Sequence, residues 1–262
     1  MQRSNESHQP TSSPSAFSLK VIHTPSSLAF GLKVIPSQKV EGGDSETAKT
    51  PYSYCNNKGE LRIANISTGR YLKYVCRIGG NILSIAFDTN GKFLWAGNDR
   101  GEIVSVFCEL NEALCKMKKF SLASHCSITS LSYRAWISRE ARDPLLLVNA
   151  TDNSMYLLSI TDCEGGLQLK RKFQNRHQKH IVRSTFCPIM SFRQGACVVT
   201  GSEDGSIYFV DIEKMGNRSV VNTLQGHSSS VLSISFNYDE SFLATSDLQG
   251  LVIIWKKGNM SQ

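Results

Sequence analysis

The sequence predicts an all-β repeat protein in which small antiparallel sheets pack one on the next. Three observations carry this reading. A six-residue pattern recurs four times, as Ile82-Leu-Ser-Ile-Ala-Phe87, Ile128-Thr-Ser-Leu-Ser-Tyr133, Ile181-Val-Arg-Ser-Thr-Phe186 and Val231-Leu-Ser-Ile-Ser-Phe236, with first residues 46, 53 and 50 positions apart. Each copy leads into a second apolar stretch, a polar Gly-type turn and a third strand-like run. No segment carries the periodicity of a long amphipathic helix. A repeat of this length marks an array architecture. A unit of short strands cannot bury its apolar face alone, so neighbouring copies must cover one another.

The elements follow in order. Residues 1–50 hold four of the seven prolines and ten serines, and 41–50 has the composition of a polar linker. Within them Phe17–Ile22 and Phe30–Ile35 are near-duplicates with strand-like composition. A half unit then opens the series: Tyr52–Cys55, a turn at Asn57-Lys-Gly59, and Glu60–Asn65. The second and third strands of the later units span 93–106, 146–158, 198–211 and 243–255. Their turns, Asp99-Arg-Gly101, Asp152-Asn-Ser154, Asp204-Gly205 and Gln249-Gly250, suit hairpin corners that need a positive φ. Asn111–Lys119 fits an outer strand or a turn or two of helix. Inserts at Arg134–Pro144 and Cys187–Ala196 separate first from second strands. The series ends on a third strand, Val252–Trp255, with no outer strand after it. An unpaired edge invites aggregation, so a strand from 17–22 or 30–35 is the expected partner that closes the array. The domain reading is a Ser/Pro-rich segment 1–50, a repeat domain 51–257 and a tail 258–262.

Bulk properties narrow the function. Hydrophobic content of 40% and charged content of 19% fit a water-soluble globular chain, and a net charge of +7 points weakly to an acidic partner. No apolar run has the roughly 18 residues of a membrane helix. The first ten residues lack the apolar core of a secretory signal. The chain therefore reads as intracellular, which leaves the sequons at Asn65, Asn149 and Asn217 idle. The eight cysteines contain no Cys-x-x-Cys pair and none lies at zinc-finger spacing from a His. They read as small core residues, with no metal and no cofactor expected.

Gly226-His227, then a hexad, then a strand closing on Trp255-Lys256 resembles the Gly-His…Trp-Asp frame of WD40 repeats. Val199-Thr-Gly-Ser-Glu-Asp-Gly205 with the closing Val210-Asp211 resembles it too, while the other copies are degenerate. The resemblance implies a WD40-type β-propeller of four to five recognisable blades, incomplete as a ring unless an N-terminal strand closes it. It also implies structural roles. His180, Ser202 and Asp204 would form part of a hydrogen-bond ladder, with Val210 in place of Trp. His227 and Trp255 would form another, with Asp247 near the Ser position. Segments at 93–101, 138–144, 167–171 and 186–204 are similar to a narrower group of WD-repeat proteins, nuclear and without known catalytic activity. That likeness implies a nuclear scaffold.

No nucleotide-binding glycine loop, His-Glu-x-x-His or nucleophile elbow is present, so no catalytic residue is expected. From Gly165 to Ser202 there is no acidic residue. The basic residues Lys170, Arg171, Lys172 and Arg176 read either as a surface for acidic peptide or nucleic acid, or as a solvated outer strand. The expected partners are other proteins, bound through Lys179, Arg183, Asp99, Arg100, Asn153 and Gln249 in turns and connecting loops. Trp136 and Arg139 in the first insert are further candidates, since Trp and Arg favour hot spots. Neither a membrane nor a small-molecule substrate is expected.

Overall fold

The structure is a computed structural model. It describes residues 33–34, 51–55, 59–65, 74–89, 91–108, 114–122, 126–134, 144–174, 180–187, 197–214, 219–237 and 241–256. Among these there is no α-helix, and the strands form five antiparallel sheets. Sheet 1 holds β1 (Lys33–Val34), β2 (Pro51–Cys55), β3 (Glu60–Asn65) and β4 (Cys76–Arg77). Sheet 2 holds β5 (Ile82–Phe87), β6 (Phe93–Asn98), β7 (Glu102–Cys108) and β8 (Leu114–Ser121). Sheet 3 holds β9 (Ile128–Arg134), β10 (Leu145–Ala150), β11 (Ser154–Ile160) and β12 (Leu167–Gln174). Sheet 4 holds β13 (Ser184–Phe186), β14 (Cys197–Gly201), β15 (Ser206–Asp211) and β16 (Val220–Gln225). Sheet 5 has three strands, β17 (Val231–Phe236), β18 (Phe242–Asp247) and β19 (Val252–Lys256). Four complete four-stranded blades thus precede a shorter one.

Successive sheets pack face to face, and the core lies between them. Strand β10 shows why. All six of its residues are buried, because side chains alternate between faces and both faces are covered. Leu146, Val148 and Ala150 join Trp95, Ile103 and Ile128 between sheets 2 and 3. Leu145 and Leu147 join Met155, Phe186 and Val198 between sheets 3 and 4. Each such side chain contributes about 1.5–3 kcal/mol relative to exposure. Outer strands read differently: β8 and β12 are mostly exposed, and their lysines keep solvent on the free edges.

One position in the hairpin between second and third strands repeats through the array. Gly59, Gly101, Asn153, Gly205 and Gly250 have φ of 69, 76, 60, 80 and 87°. The expectation of positive-φ corners holds, and Asn153 is the residue type that tolerates this region when Gly is absent.

A second repeated position lies four residues before that corner, at or next to the end of the second strand, where the segment entering the next blade makes close contact. A Cβ on Gly97 would lie 2.3 Å from Ile128 Cγ2, and one on Gly201 would lie 2.3 Å from the Val231 carbonyl oxygen. Sheet 3 places Asn149 there instead, and its amide donates to the Val182 carbonyl at 3.0 Å and to Ser184 Oγ at 2.7 Å. Asn149 is fully buried, which removes it as a glycosylation site on geometric grounds.

Three expectations need correction. The third hexad forms only the three-residue β13. Ile181 is 47% exposed and Val182 takes the buried place that Ile82, Ile128 and Val231 hold in the other copies. Arg183 N–H donates to the Leu232 carbonyl of sheet 5 at 3.0 Å. The described part of the 30–35 segment, Lys33–Val34, does not close the array. As β1 it pairs with β2 and completes sheet 1, so the opening half unit is a full sheet. The cysteines are not all core, since Cys163 is exposed. Of the 111–119 stretch, Leu114–Lys119 lies in an outer strand, β8, and 111–113 lie outside the described residues. The segments 17–22, 41–50 and 258–262 lie outside the described residues.

Gly201→Ala tests the close approach. The added methyl group meets backbone, which cannot rotate away, so we expect a loss of about 1–3 kcal/mol, read from urea unfolding.

Candidate interaction face

One end of the blades gathers the hairpin turns (98–102, 150–154, 202–206 and 247–251) and the segments that lead into each first strand (79–81, 126–127, 180–183 and 226–230). Hydrogen bonds stitch the two sets together. Asp99 Oδ1 accepts from Asn81 N–H at 2.9 Å, and Asp99 N–H returns a bond to the Asn81 carbonyl. Ser127 Oγ donates to the Asp99 carbonyl at 3.1 Å, and Ser127 N–H donates to Thr151 Oγ1 at 2.8 Å. Ser230 Oγ donates to the Glu203 carbonyl at 3.3 Å, and the Ser230 carbonyl accepts from Leu248 N–H. Neighbouring blades are therefore coupled through polar contacts at this end.

Each turn is capped locally. Asn98 Oδ1 accepts from the N–H groups of Arg100 and Glu102 at 3.0 and 2.9 Å. Asp247 Oδ1 does the same for Gln249 and Leu251 at 3.0 and 2.9 Å. Asp204 accepts from Ser206 N–H and from the Tyr208 hydroxyl at 2.8 and 2.6 Å. Short polar side chains bonding backbone two to four residues on are the standard device for fixing a turn.

The candidate partner-binding residues divide on this face. Asp99 is held by Asn81, and Asn153 occupies the positive-φ corner. Arg100, Arg183 and Gln249 are exposed. The structure thus brings Asp99, Arg100, Asn153, Arg183 and Gln249 to one end. Lys179, Trp136, Arg139 and Arg176 lie outside the described residues.

The ladder in sheet 5 differs from its expected form. Thr245, not Asp247, supplies the hydroxyl. Trp255 Nε1 donates to Thr245 Oγ1 at 2.8 Å, His227 Nε2 lies 2.7 Å from the same oxygen, and His227 Nδ1 lies 2.9 Å from Asp247 Oδ2. The ends fix the outer bonds, because an indole N–H only donates and a carboxylate only accepts: Trp255 donates to Thr245, and His227 Nδ1–H donates to Asp247. The His227 and Asp247 side chains are fully enclosed. Burial pushes the Asp247 carboxyl up, but the bonds from His227 and from the N–H groups of Leu251 and Gln249 outweigh it and hold the group below the ordinary carboxylate range. Trp255 also covers Gly226, where a Cβ would lie 2.9 Å from the indole ring.

Sheet 4 forms no matching ladder through His180, Ser202 and Asp204. His180 is half-buried and reaches the turn through its backbone N–H, which donates to Glu203 Oε1 at 2.6 Å. Ser202 Oγ accepts from Asp204 N–H at 3.4 Å, so both residues serve the turn. The hydroxyl at the Thr245 position is Thr200, which accepts from Ser184 Oγ at 2.7 Å. Asp211 caps Glu213 N–H at 2.9 Å and pairs with Lys214 at 3.4 Å.

The basic strand β12 is largely engaged. The Arg171 guanidinium donates to the carbonyls of Ile212 and of Lys214, the latter at 3.1 Å. Lys172 Nζ lies 3.2 Å from Asp152 and over the Tyr156 ring. Lys170 stays exposed. Lysines also sit at a cleft of about 240 Å³ between β8 and the 161–167 turn. There Lys118 pairs with Asp162 and Glu164 at 2.7 and 3.1 Å, so its charge is already matched. Nearby, Trp95 Nε1 donates to the Gly165 carbonyl at 3.0 Å, a link between sheets 2 and 3 that no sequence motif marks. Arg134 is buried against the Phe186 ring at 4.7 Å, and burial draws its pKa down to about 10.

Among the described residues no cluster of His, Cys, Asp or Glu has the arrangement of a metal site, and no helix is long and apolar enough to cross a membrane.

Four-stranded antiparallel sheets stacked blade on blade, with turns and lead-in segments joined at one end, define a β-propeller. Within it, residues 218–256 match the WD40 family model, described as WD domain, G-beta repeat. The match covers β16 to β19 and contains the whole His227–Thr245–Trp255 chain. Propellers of this type are commonly protein-interaction scaffolds and are generally non-enzymatic.

Thr245→Val leaves His227 and Trp255 without their shared hydroxyl. The expected cost is about 1–3 kcal/mol, measured by thermal unfolding. The depressed Asp247 carboxyl sets an acid limb. Its contribution to stability is complete above the unfolded-state value of about 4 and is lost as pH falls through the lower native value. In Asp247→Asn the melting temperature should fall less steeply below pH 4 than in the parent.

Proposed function

We propose that this chain is a non-enzymatic nuclear scaffold that binds other proteins, in transcription or chromatin-associated complexes, through the end where turns and lead-in segments meet. The observation that carries this reading is the contrast on that end. The backbone is fixed by Asn98, Asp99, Asp204 and Asp247, while the side chains of Arg100 and Arg183 and the side-chain amide N–H groups of Gln249 stand exposed with no hydrogen bond or ion pair among the described residues. Rigid corners carrying free polar side chains bind with little ordering cost. Two arginines and a net charge of +7 favour an acidic, extended segment of the partner. The nuclear assignment rests on the likeness of 93–101, 138–144, 167–171 and 186–204 to the group that includes WD repeat-containing protein thirteen.

The test is capture from nuclear extract followed by mass spectrometry. The wild-type chain should retain a defined set of proteins, and Arg100→Glu with Arg183→Glu should lose it by at least about tenfold. Lys170→Glu, on the far outer strand, should keep the set. If the double variant captures the same proteins, this face is not the binding surface. If capture instead depends on nucleic acid, falls steeply with salt and is lost in Lys170→Glu, the basic strand is the binding element.

A further inference from the structure

The last sheet presents a face built to receive another sheet, and no part of the described chain covers it. Aligning the blades on their repeated turn makes Phe242, Ser246, Val252 and Ile254 the counterparts of Phe93, Gly97, Ile103 and Ser105. The register agrees: Gly97 faces Ile103 across β6 and β7, and Ser246 faces Val252 across β18 and β19. In sheet 2 this face lies under sheet 3, and Ile103 and Ser105 are 0 and 1% exposed. In sheet 5 Phe242, Val252 and Ile254 are 42, 60 and 59% exposed. Ser246 keeps the small side chain that Gly97 and Gly201 have where a neighbouring Ile128 or Val231 moves in. Among the described residues β19 also has no strand along its outer edge.

We infer that this face is a two-fold interface with a second copy of the chain, sheet 5 against sheet 5. The first sheet is a poor occupant, whether from the same chain or from another copy. On β3, Leu61 and Ile63 point into the core, so Arg62 points to the opposite side. With Glu60 and Arg77 it forms a charged group there, the arginines 3.6 and 3.3 Å from the carboxylate. Setting these partly solvated charges on Phe242, Val252 and Ile254 would strip their water without supplying partners. Among the described residues the terminal face carries no acidic side chain, and the one cation described there, Lys256, sits at the rim opposite Phe242. A two-fold axis near Ile254 sets apolar positions on their own copies. Such an isologous contact closes at two, whereas a head-to-tail contact would continue into longer assemblies. The contact leaves the turn-bearing end of each copy free, so it is independent of the proposed partner surface.

Sedimentation velocity of the full chain over a concentration series tests this. The wild type should pass from monomer to dimer and go no further. Ile254→Lys and Val252→Glu should each raise the dissociation constant at least about tenfold, and Met117→Lys on the exposed strand β8 should leave it unchanged. Circular dichroism confirms that each variant is folded, and with two independent variants the result survives the loss of either one. A wild type that stays monomeric at its highest soluble concentration overturns the inference. So do assemblies larger than a dimer, or a dimer that persists in both folded variants. Loss of partner capture in Arg100→Glu with Arg183→Glu while the dimer persists would separate the two surfaces.

Discussion

The fit between consecutive sheets at a single point governs the rest of the molecule. In sheets 2 to 5 an apolar residue at or just before the first strand, Ile82, Ile128, Val182 or Val231, enters the previous sheet near the end of its second strand. Gly97 and Gly201 make room by lacking a side chain. Asn149 solves the problem differently, by bonding the lead-in backbone at Val182 and the hydroxyl of Ser184. Three blades thus satisfy one geometric demand with two chemistries. The second has a local consequence, because the residue buried under Asn149 is Val182 and Ile181 turns outward. The short β13 follows from that shift.

Fixing the sheets at this point also decides what the polar end of the propeller has available. Turns and lead-ins meet there because the buried entry residue lies directly after each lead-in. Most short polar side chains at that end are consumed in holding the corner: Asn98, Asp204 and Asp247 bond backbone N–H groups, and Ser127 and Ser230 cross to the neighbouring blade. What remains for recognition is the longer side chains. The same partition explains the outer strand β12, where Arg171 and Lys172 serve the fold and Lys170 does not.

Much of this was legible in the sequence, and the failures share a cause. The hexads, turns and inserts appear in the text because they follow from alternation and from the need for φ > 0, which are local rules. The positive φ of Asn153 was visible in that way even without glycine. Non-local pairing was less legible. Nothing in Lys33–Val34 says whether it pairs with the start or the end of the array. From the sequence, Asp247 stands near the Ser position of the ladder, and nothing local marks Thr245 as the hydroxyl instead. Thr200 and Thr245 each lie five residues before the corner glycine and face the first strand of their sheet, at Ser184 and Ile234. The basic run was visible as composition, but its ties to Ile212, Lys214 and Asp152 depend on which loops the neighbouring blades bring close.

The most complete polar chain sits in the least covered sheet, and this placement has a physical reason. Sheets 2, 3 and 4 are each pressed from both sides, so apolar burial on two faces adds to their polar links in holding the strands. Sheet 5 has one covered face and three strands. Its register is held instead from within, by an enclosed path from Asp247 through His227 and Thr245 to Trp255, which ties the lead-in to both later strands. Inside a protein such bonds gain strength from the low dielectric and become costly to break one at a time. A sheet stiffened in this way keeps its open face flat and presentable. That is the condition under which apolar residues at such a face serve an interface rather than unravelling the end of the array.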